Sequence, residues 1–105
     1  MIGALRYQID LLDRVETPDE AGGRSATWSL SATVWAAVDD LPSIGVVVGG
    51  RGRRVRRIRA LVRARAGVLI GGRMRHAGVD YDIVSIESDD ERGRRVFLIG
   101  EEAVE

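Results

Sequence analysis

The stretch RRIRALVRARAG, residues 56–67, alternates arginine with small or apolar residues, and this period decides the fold class. Drawn as a strand, it puts five residues on one face without a gap: Ile58, Ala60, Val62, Ala64 and Ala66. The opposite face then carries Arg57, Arg59, Arg63 and Arg65, with Leu61 as the one apolar exception. Drawn as a helix, the segment aligns only Val55, Ile58 and Val62. The alternation therefore predicts a β-strand.

Segments on both sides of this stretch show the same period of two. LRYQIDLLDR (5–14) places Leu5, Tyr7, Ile9 and Leu11 on one face, and further strands are predicted around 27–30, 33–39, 73–76, 79–87 and 94–100. A cluster of Pro, Asp and Gly at 17–24 and a cluster of Asp, Glu and Gly at 88–95 predict turns between them. We expect one all-β domain over residues 1–105, a small antiparallel β-barrel or sandwich of about six to seven strands.

The pattern fails over LPSIGVVVGGRG, residues 41–52, where glycines flank three consecutive valines. Neither a strand period nor a helix period fits this segment. We therefore expect a long flexible loop around residues 41–52.

Charge is distributed in three blocks although sixteen arginines and sixteen acidic residues cancel overall. Residues 1–40 hold three arginines and seven acids (net −4), residues 41–79 ten arginines and no acid (+10), and residues 80–105 three arginines and nine acids (−6). Such asymmetry indicates a partner for the middle block, which is either nucleic acid or the acidic blocks of a neighbouring copy.

Several kinds of chemistry lack the residues they need. The chain has no cysteine, which excludes disulfides and thiolate metal sites and suits a reducing compartment, and His76 is its one histidine. Adjacent acids such as Asp39 and Asp40 point to opposite faces of a strand, and GGRGRR lacks the Lys-Ser/Thr of a phosphate loop. We expect no enzyme, no catalytic residue, no metal, no cofactor, no signal peptide and no membrane span.

An ordered set of motifs resembles a known family. These are GALRYQIDLLDR, DEAGGRSATWS, TVWAAVDDL, RRIRALVRARAG and IGGRMRHAGVDYDIVSIESDDERGRRVFLIGEE, in that order over most of the chain. The set is similar to the phage head-tail joining family, the head completion, stopper or connector proteins of long-tailed bacteriophages and gene transfer agents. By position it matches Trp28, Trp35, Gly78, Tyr81 and Ile83, which we interpret as fold residues.

The resemblance implies a structural protein of the virion, assembled in the bacterial cytoplasm. It implies an antiparallel β-barrel that forms a homo-oligomeric ring of six or twelve copies at the head-tail junction, or neck. Such a ring helps to retain packaged DNA in the head and provides the attachment surface for the tail. The implied partners are a portal adaptor protein, a tail terminator or tail tube protein and double-stranded DNA. The chain departs from many relatives between Pro42 and Arg54, where they have a longer polar or helix-like stretch.

Within that frame, the residues suggest three sites. Backbone contacts from arginine hold a duplex without sequence preference, so we expect a DNA-facing, lumen-facing set of Arg51, Arg53, Arg54, Arg56 and Arg57. A gating loop would consist of Val46, Val47, Val48, Gly49 and Gly50, with the valines forming an apolar constriction. A subunit interface would use Arg63, Arg65 and Trp28.

Alternatives stay open for the basic block. Its arginines contact DNA, pair with the acidic blocks of a neighbouring subunit, do both, or form an ordinary solvated face. The alternative function is a free-standing nucleic-acid-binding β-barrel module without a virion role, of the OB or Sm type. Residues 41–79 contain no Phe, Tyr or Trp on which bases could stack, which counts against that alternative.

Overall fold

The computed structural model describes residues 5–18, 20, 22–65, 68, 70–88 and 93–103. The regular secondary structure in this part of the chain consists of six β-strands: β1 Tyr7–Pro18, β2 Arg24–Val48, β3 Arg51–Arg63, β4 Arg73–His76, β5 Val79–Ser88 and β6 Arg95–Glu102. Among these residues, no helix is long and apolar enough to cross a membrane.

The six strands form one antiparallel sheet that closes on itself. Their order is β1-β2-β3-β6-β5-β4, and β4 pairs back onto β1 through Asp10 with Arg75, Leu11 with Met74 and Leu12 with Arg73. Closure removes sheet edges, which would otherwise expose unpaired backbone groups. The predicted all-β class and the small antiparallel barrel are confirmed.

The two strands predicted near 27–30 and 33–39 are one. β2 runs without interruption through both segments, and the residue between them, Ser31, is the extra residue of a β-bulge where Leu11 pairs with Ala32 and Leu12 pairs with Leu30. A bulge absorbs one residue and bends the strand without ending it. β1 likewise ends at Pro18, four residues beyond the predicted limit of Arg14.

The prediction of a long flexible loop over residues 41–52 was wrong. β2 continues to Val48, and Val46, Val47 and Val48 pair in register with Arg53, Gly52 and Arg51 of β3. Only Gly49 and Gly50 form the turn, with φ of 58° and 79°, the positive values that a two-residue type I′ hairpin needs. The three valines are β-branched and therefore favour a strand. Gly45 accordingly lies within β2, and Gly52 lies within β3.

The interior of the barrel is filled by alternate residues of all six strands. Ile9, Met74 and Leu98 have 0% exposed surface, and the core cluster consists of Ile9, Leu11, Ala36, Ile58, Ala60, Val62, Met74, Tyr81, Ile83 and Leu98. The predicted inward face of residues 58, 60 and 62 is therefore correct. Tyr7, predicted on the same face as Ile9, is half exposed and meets His76 edge to face at 5.6 Å between ring centres.

Two hairpins extend past the closed part of the barrel, at opposite ends. We call residues 13–18 and 24–29 the upper arm, since in the described chain they pair only with each other beyond the β1–β4 contact. Residues 44–48 and 51–56 form the lower arm, because the pairing of β3 with β6 begins only at Arg57. The Cα atoms accordingly extend over 49 × 32 × 24 Å.

Candidate functional site

The lower arm concentrates positive charge at one end of the molecule. It carries Arg51, Arg53, Arg54 and Arg56 and no acidic residue, and all four side chains are exposed. The arginines lie on both faces of the hairpin. Arg51 and Arg53 pair opposite Val48 and Val46, on the face of the buried Val55, whereas Arg54 pairs opposite Gly45 on the other face.

Two glutamates at the end of β6 contact the root of the lower arm, which is where the arm joins the barrel at Arg56 and Arg57. Glu101 Oε2 lies 3.7 Å from Arg57 Nε, and Glu102 Oε1 accepts a hydrogen bond from the Arg56 backbone N–H at 3.1 Å. The second contact satisfies the first backbone donor beyond the end of the β3–β6 ladder. Arg57 therefore lies at the root of the arm, apart from the other four residues predicted to face DNA.

Tyr81 lies on the interior side of the same root. Burial raises the pKa of the Tyr81 hydroxyl, while the charge of Arg56 and a hydrogen bond to it act in the opposite direction. Asp40 and Glu102 also bear on this hydroxyl. Asp39, the neighbour of Asp40, points outward and binds Arg59, as expected for adjacent acids on a strand.

The ten arginines of the basic block divide into two groups. Four form ion pairs with acids of their own chain: Arg57 with Glu101, Arg59 with Asp39, Arg73 with Asp82 and Asp80, and Arg75 with Asp80. Six make no ion pair with any acid that the structure describes: Arg51, Arg53, Arg54, Arg56, Arg63 and Arg65. The acids that the structure describes thus pair with fewer than half of the arginines of the basic block.

Arg73 is the most deeply placed of the paired arginines, at 8% exposure. Its Nε donates to Asp82 Oδ1 at 3.2 Å, and its guanidinium carbon lies 4.1 Å from the centre of the Trp28 ring. Beside it, Arg75 donates to both oxygens of Asp80 at 2.6 and 3.3 Å, and this contact lowers the pKa of Asp80. This cluster fixes the upper arm to β4 and β5.

The two tryptophans have different environments. Trp28, which we predicted at a subunit interface, packs against Arg73 of its own chain, whereas Trp35 is 55% exposed on the outer wall. Sequence reasoning interpreted Trp35 as a fold residue, with an interface anchor as the alternative. The signal was present, because Val34, Ala36 and Val38 form the inward face of β2 and leave Trp35 on the other.

The outer wall beside Trp35 also explains Leu61. Leu61 faces away from the barrel core yet is only 1% exposed, and its register partners are Ala37 on β2 and Phe97 on β6. The guanidinium of Arg59 lies 4.8 Å from the centre of the Phe97 ring. The outer wall of β2, β3 and β6 thus has an apolar layer partly covered by arginine. Arg63 and Arg65, predicted at a subunit interface, are exposed near its upper end.

A family model described as the phage head completion protein matches residues 1–103. The chain belongs to this family. Head completion proteins are structural components of phage head-tail assemblies and not an enzyme family, so the protein is a virion component. A search of curated proteins found no match.

Two solved structures share the fold of this head completion protein. A chain from the virion of a native gene transfer agent particle superposes with a TM-score of 0.78 at 21% identity, covering 98% of this chain and 99% of its own. The solution structure of protein SF1141 from Shigella flexneri 2a gives a TM-score of 0.74 at 22% identity, covering 99% and 97%. The overall fold is therefore shared by proteins of low sequence identity.

Proposed function

We propose that this head completion protein acts as one connector domain that forms a ring of six or twelve copies at the neck. The ring helps to retain packaged DNA in the head and presents the attachment surface for the tail. Its neighbours are the portal adaptor on the head side and the tail terminator or tail tube protein on the tail side. Family membership supports the position in the particle, and the charges of the chain support the role toward DNA.

One observation carries the DNA role: the lower arm holds four exposed arginines and no acid, and none of the four pairs with an acid among the described residues. Guanidinium groups without an acidic partner on a projecting hairpin are suited to phosphate contact without base readout. We propose that the arm points toward the lumen, with Arg51, Arg53, Arg54, Arg56 and Arg57 near the duplex.

We propose that the gating element, Val46 to Gly50, is the tip of the lower arm, which is a hairpin and not a flexible loop. Val47 is 76% exposed, while Val46 and Val48 are half-buried on the opposite face. In a ring, one exposed valine from each copy, followed by the turn at Gly49 and Gly50, would line the narrowest part of the channel. The paired strands make this element stiff, so opening requires movement of the whole arm about its root.

The DNA role is tested by salt titration of a short duplex with the full chain. The variant R51Q/R53Q/R54Q should bind more weakly, and its plot of log K against log salt should flatten by about 0.9 for each arginine that contacts a phosphate. The matched control R14Q/R59Q/R75Q removes the same charge from arginines outside the proposed DNA-facing set that pair within the chain, and it should keep most of the slope. Absence of wild-type binding at low salt would overturn the DNA role and leave pairing between subunits.

The ring is tested separately by electron microscopy of particles or of the purified protein. The expected result is a closed ring at the head-tail junction whose lumen is lined by the lower arms. A ring with the lower arms on its outer surface would refute the proposed orientation while retaining the connector role.

A further inference from the structure

The outer wall of β2 carries a large aromatic side chain that its own subunit leaves uncovered. Trp35 is 55% exposed, and Arg63 lies beside it on β3, one position beyond the register pair of Ala36 with Val62. Arg63 is the last residue of β3, and Arg65 follows it; both are exposed. Trp and Arg side by side are the residue types that dominate the energetics of protein interfaces.

A groove of about 690 Å³ lies on a different wall of the same barrel, between the upper arm and β4–β5. Trp28, Ile70 and Val84 contribute apolar surface to it, and Arg14, Arg73 and Asp82 contribute polar groups. Ile70 and Val84 are exposed at 65% and 40%. The groove is therefore a concave, largely apolar surface that this subunit does not fill.

The exposed tryptophan and the groove lie on different walls of the barrel. Trp35 lies in the closed part of the sheet, where it pairs with Gln8 of β1 and has β3 on its other side. The groove lies between the upper arm and β4–β5. A head-to-tail ring joins two different surfaces of each subunit, and these two surfaces meet that requirement.

Charge supports the same pairing of surfaces. Arg63 and Arg65 make no ion pair with an acid in the described part of the chain. The hairpin from residue 13 to residue 29 has four acids and two arginines, and Asp13 and Glu20 are exposed. A cationic rim beside Trp35 therefore complements an acidic rim beside the groove.

We propose that Trp35 of one copy inserts into the groove of the next copy, with Arg63 and Arg65 facing that neighbour's upper arm. This inference rests on the proposed ring and names the two surfaces that join its subunits. An aromatic side chain of this size buries about 150–250 Å², and the groove has room for it. The exposed guanidinium of Arg14 in the groove wall offers an indole a cation–π contact.

Cross-linking tests the proposal directly, because the natural chain contains no cysteine. Variants T33C and V84C of the full chain are mixed and treated with a short bismaleimide. Thr33 is exposed on the same face of β2, two residues from Trp35, so T33C keeps the tryptophan. The mixture should yield covalent dimers, while each variant alone should yield few.

The matched control mixes L30C with V84C, since Leu30 is also an exposed residue of β2, at 60%. We expect at least tenfold more dimer from the T33C mixture than from the control mixture, and adding W35A to T33C should remove most of this excess. Adding R63E should slow the cross-linking of T33C to V84C by about threefold at low salt, the effect of a rim ion pair.

A chain that carries both T33C and V84C should form covalent ladders that end at the ring size, because each copy then offers both reactive surfaces. Equal yields from the T33C and L30C mixtures would overturn the proposal. Preferential cross-linking of T33C to itself would also overturn it, since it would show a two-fold interface.

The proposed ring and this interface can fail separately. Wild-type rings seen by electron microscopy without a T33C–V84C cross-link would refute the interface and leave the ring in place. Particles that hold a single copy at the neck would refute the ring, and the interface with it. Thermal unfolding of T33C and V84C confirms that each variant is folded before its cross-linking is scored.

Discussion

The guanidinium carbon of Arg73 lies 4.1 Å from the centre of the Trp28 ring, and Nε of this buried side chain donates a hydrogen bond to Asp82 Oδ1. This contact joins the upper arm to the short strand β4, which pairs with β1 through only three residues. Closure of the barrel therefore depends on a buried arginine as well as on backbone hydrogen bonds.

Replacement of Arg73 by alanine should lower the free energy of unfolding by about 2 kcal/mol, because it removes a cation–π contact and leaves two carboxylates without this partner. R73K should recover only part of the loss, since an ammonium cannot donate in the planar geometry of a guanidinium. Urea denaturation measures both. R75A, at a more exposed arginine of the same cluster, is the control and should cost less. Equal losses would contradict this account.

The stability of the Arg75–Asp80 contact should depend on pH. The hydrogen bond from Arg75 lowers the pKa of Asp80 in the folded state. The ionised carboxylate therefore stabilises the folded state at pH values above the ordinary pKa of Asp80. This stabilisation is lost as the pH falls through the lowered pKa. The stability gap between wild type and D80N should be constant near neutral pH and narrow as the pH falls below about 3.8.

Denaturation of the two proteins over a pH series checks this expectation. Because the side chain of Asp80 is partly exposed, added salt should also reduce the gap at neutral pH. A gap that widens toward acid pH would show that Asp80 contributes through something other than its charge.

Gly100 should not tolerate a side chain. A Cβ at this position would lie 2.9 Å from the Cβ of Tyr81 and against Cε of Met74, both in the barrel core. G100A should therefore lower stability by about 1–3 kcal/mol through overpacking. The control is G45A, on an exposed strand position with no atom near the added Cβ. Equal stability of G100A and wild type would show that the core can relax around the added methyl group.

The turn between β4 and β5 should be open to improvement. Ala77 has φ of 51° and Gly78 has φ of 78°, so a residue with a Cβ occupies the first left-handed position of a two-residue hairpin. Asparagine tolerates this conformation better than alanine, so A77N should raise stability by about 0.5–1 kcal/mol. A26N, on a strand, should not raise it. Loss of stability in A77N would indicate that the methyl group of Ala77 makes a packing contribution.

Local periodicity by itself determined much of this protein. The alternation in residues 57–65 correctly predicted which residues of β3 face the core, and the distribution of arginine marked the segment that carries the most positive charge. The ordered motifs indicated the head completion family, which the family match confirmed. These features were readable because each depends on residues close together in the chain, where the period of a strand dictates the side-chain direction.

Tertiary structure decided the rest. Only cross-strand pairing shows that Val46 to Val48 continue β2, because their backbone groups find partners in Arg51 and Arg53 across a two-residue turn. Pairing across the sheet also selected which arginines meet an acid of their own chain, and it placed Trp28 against Arg73 while leaving Trp35 exposed. Composition and spacing cannot supply these outcomes, since they depend on hydrogen bonds and contacts between residues far apart in sequence.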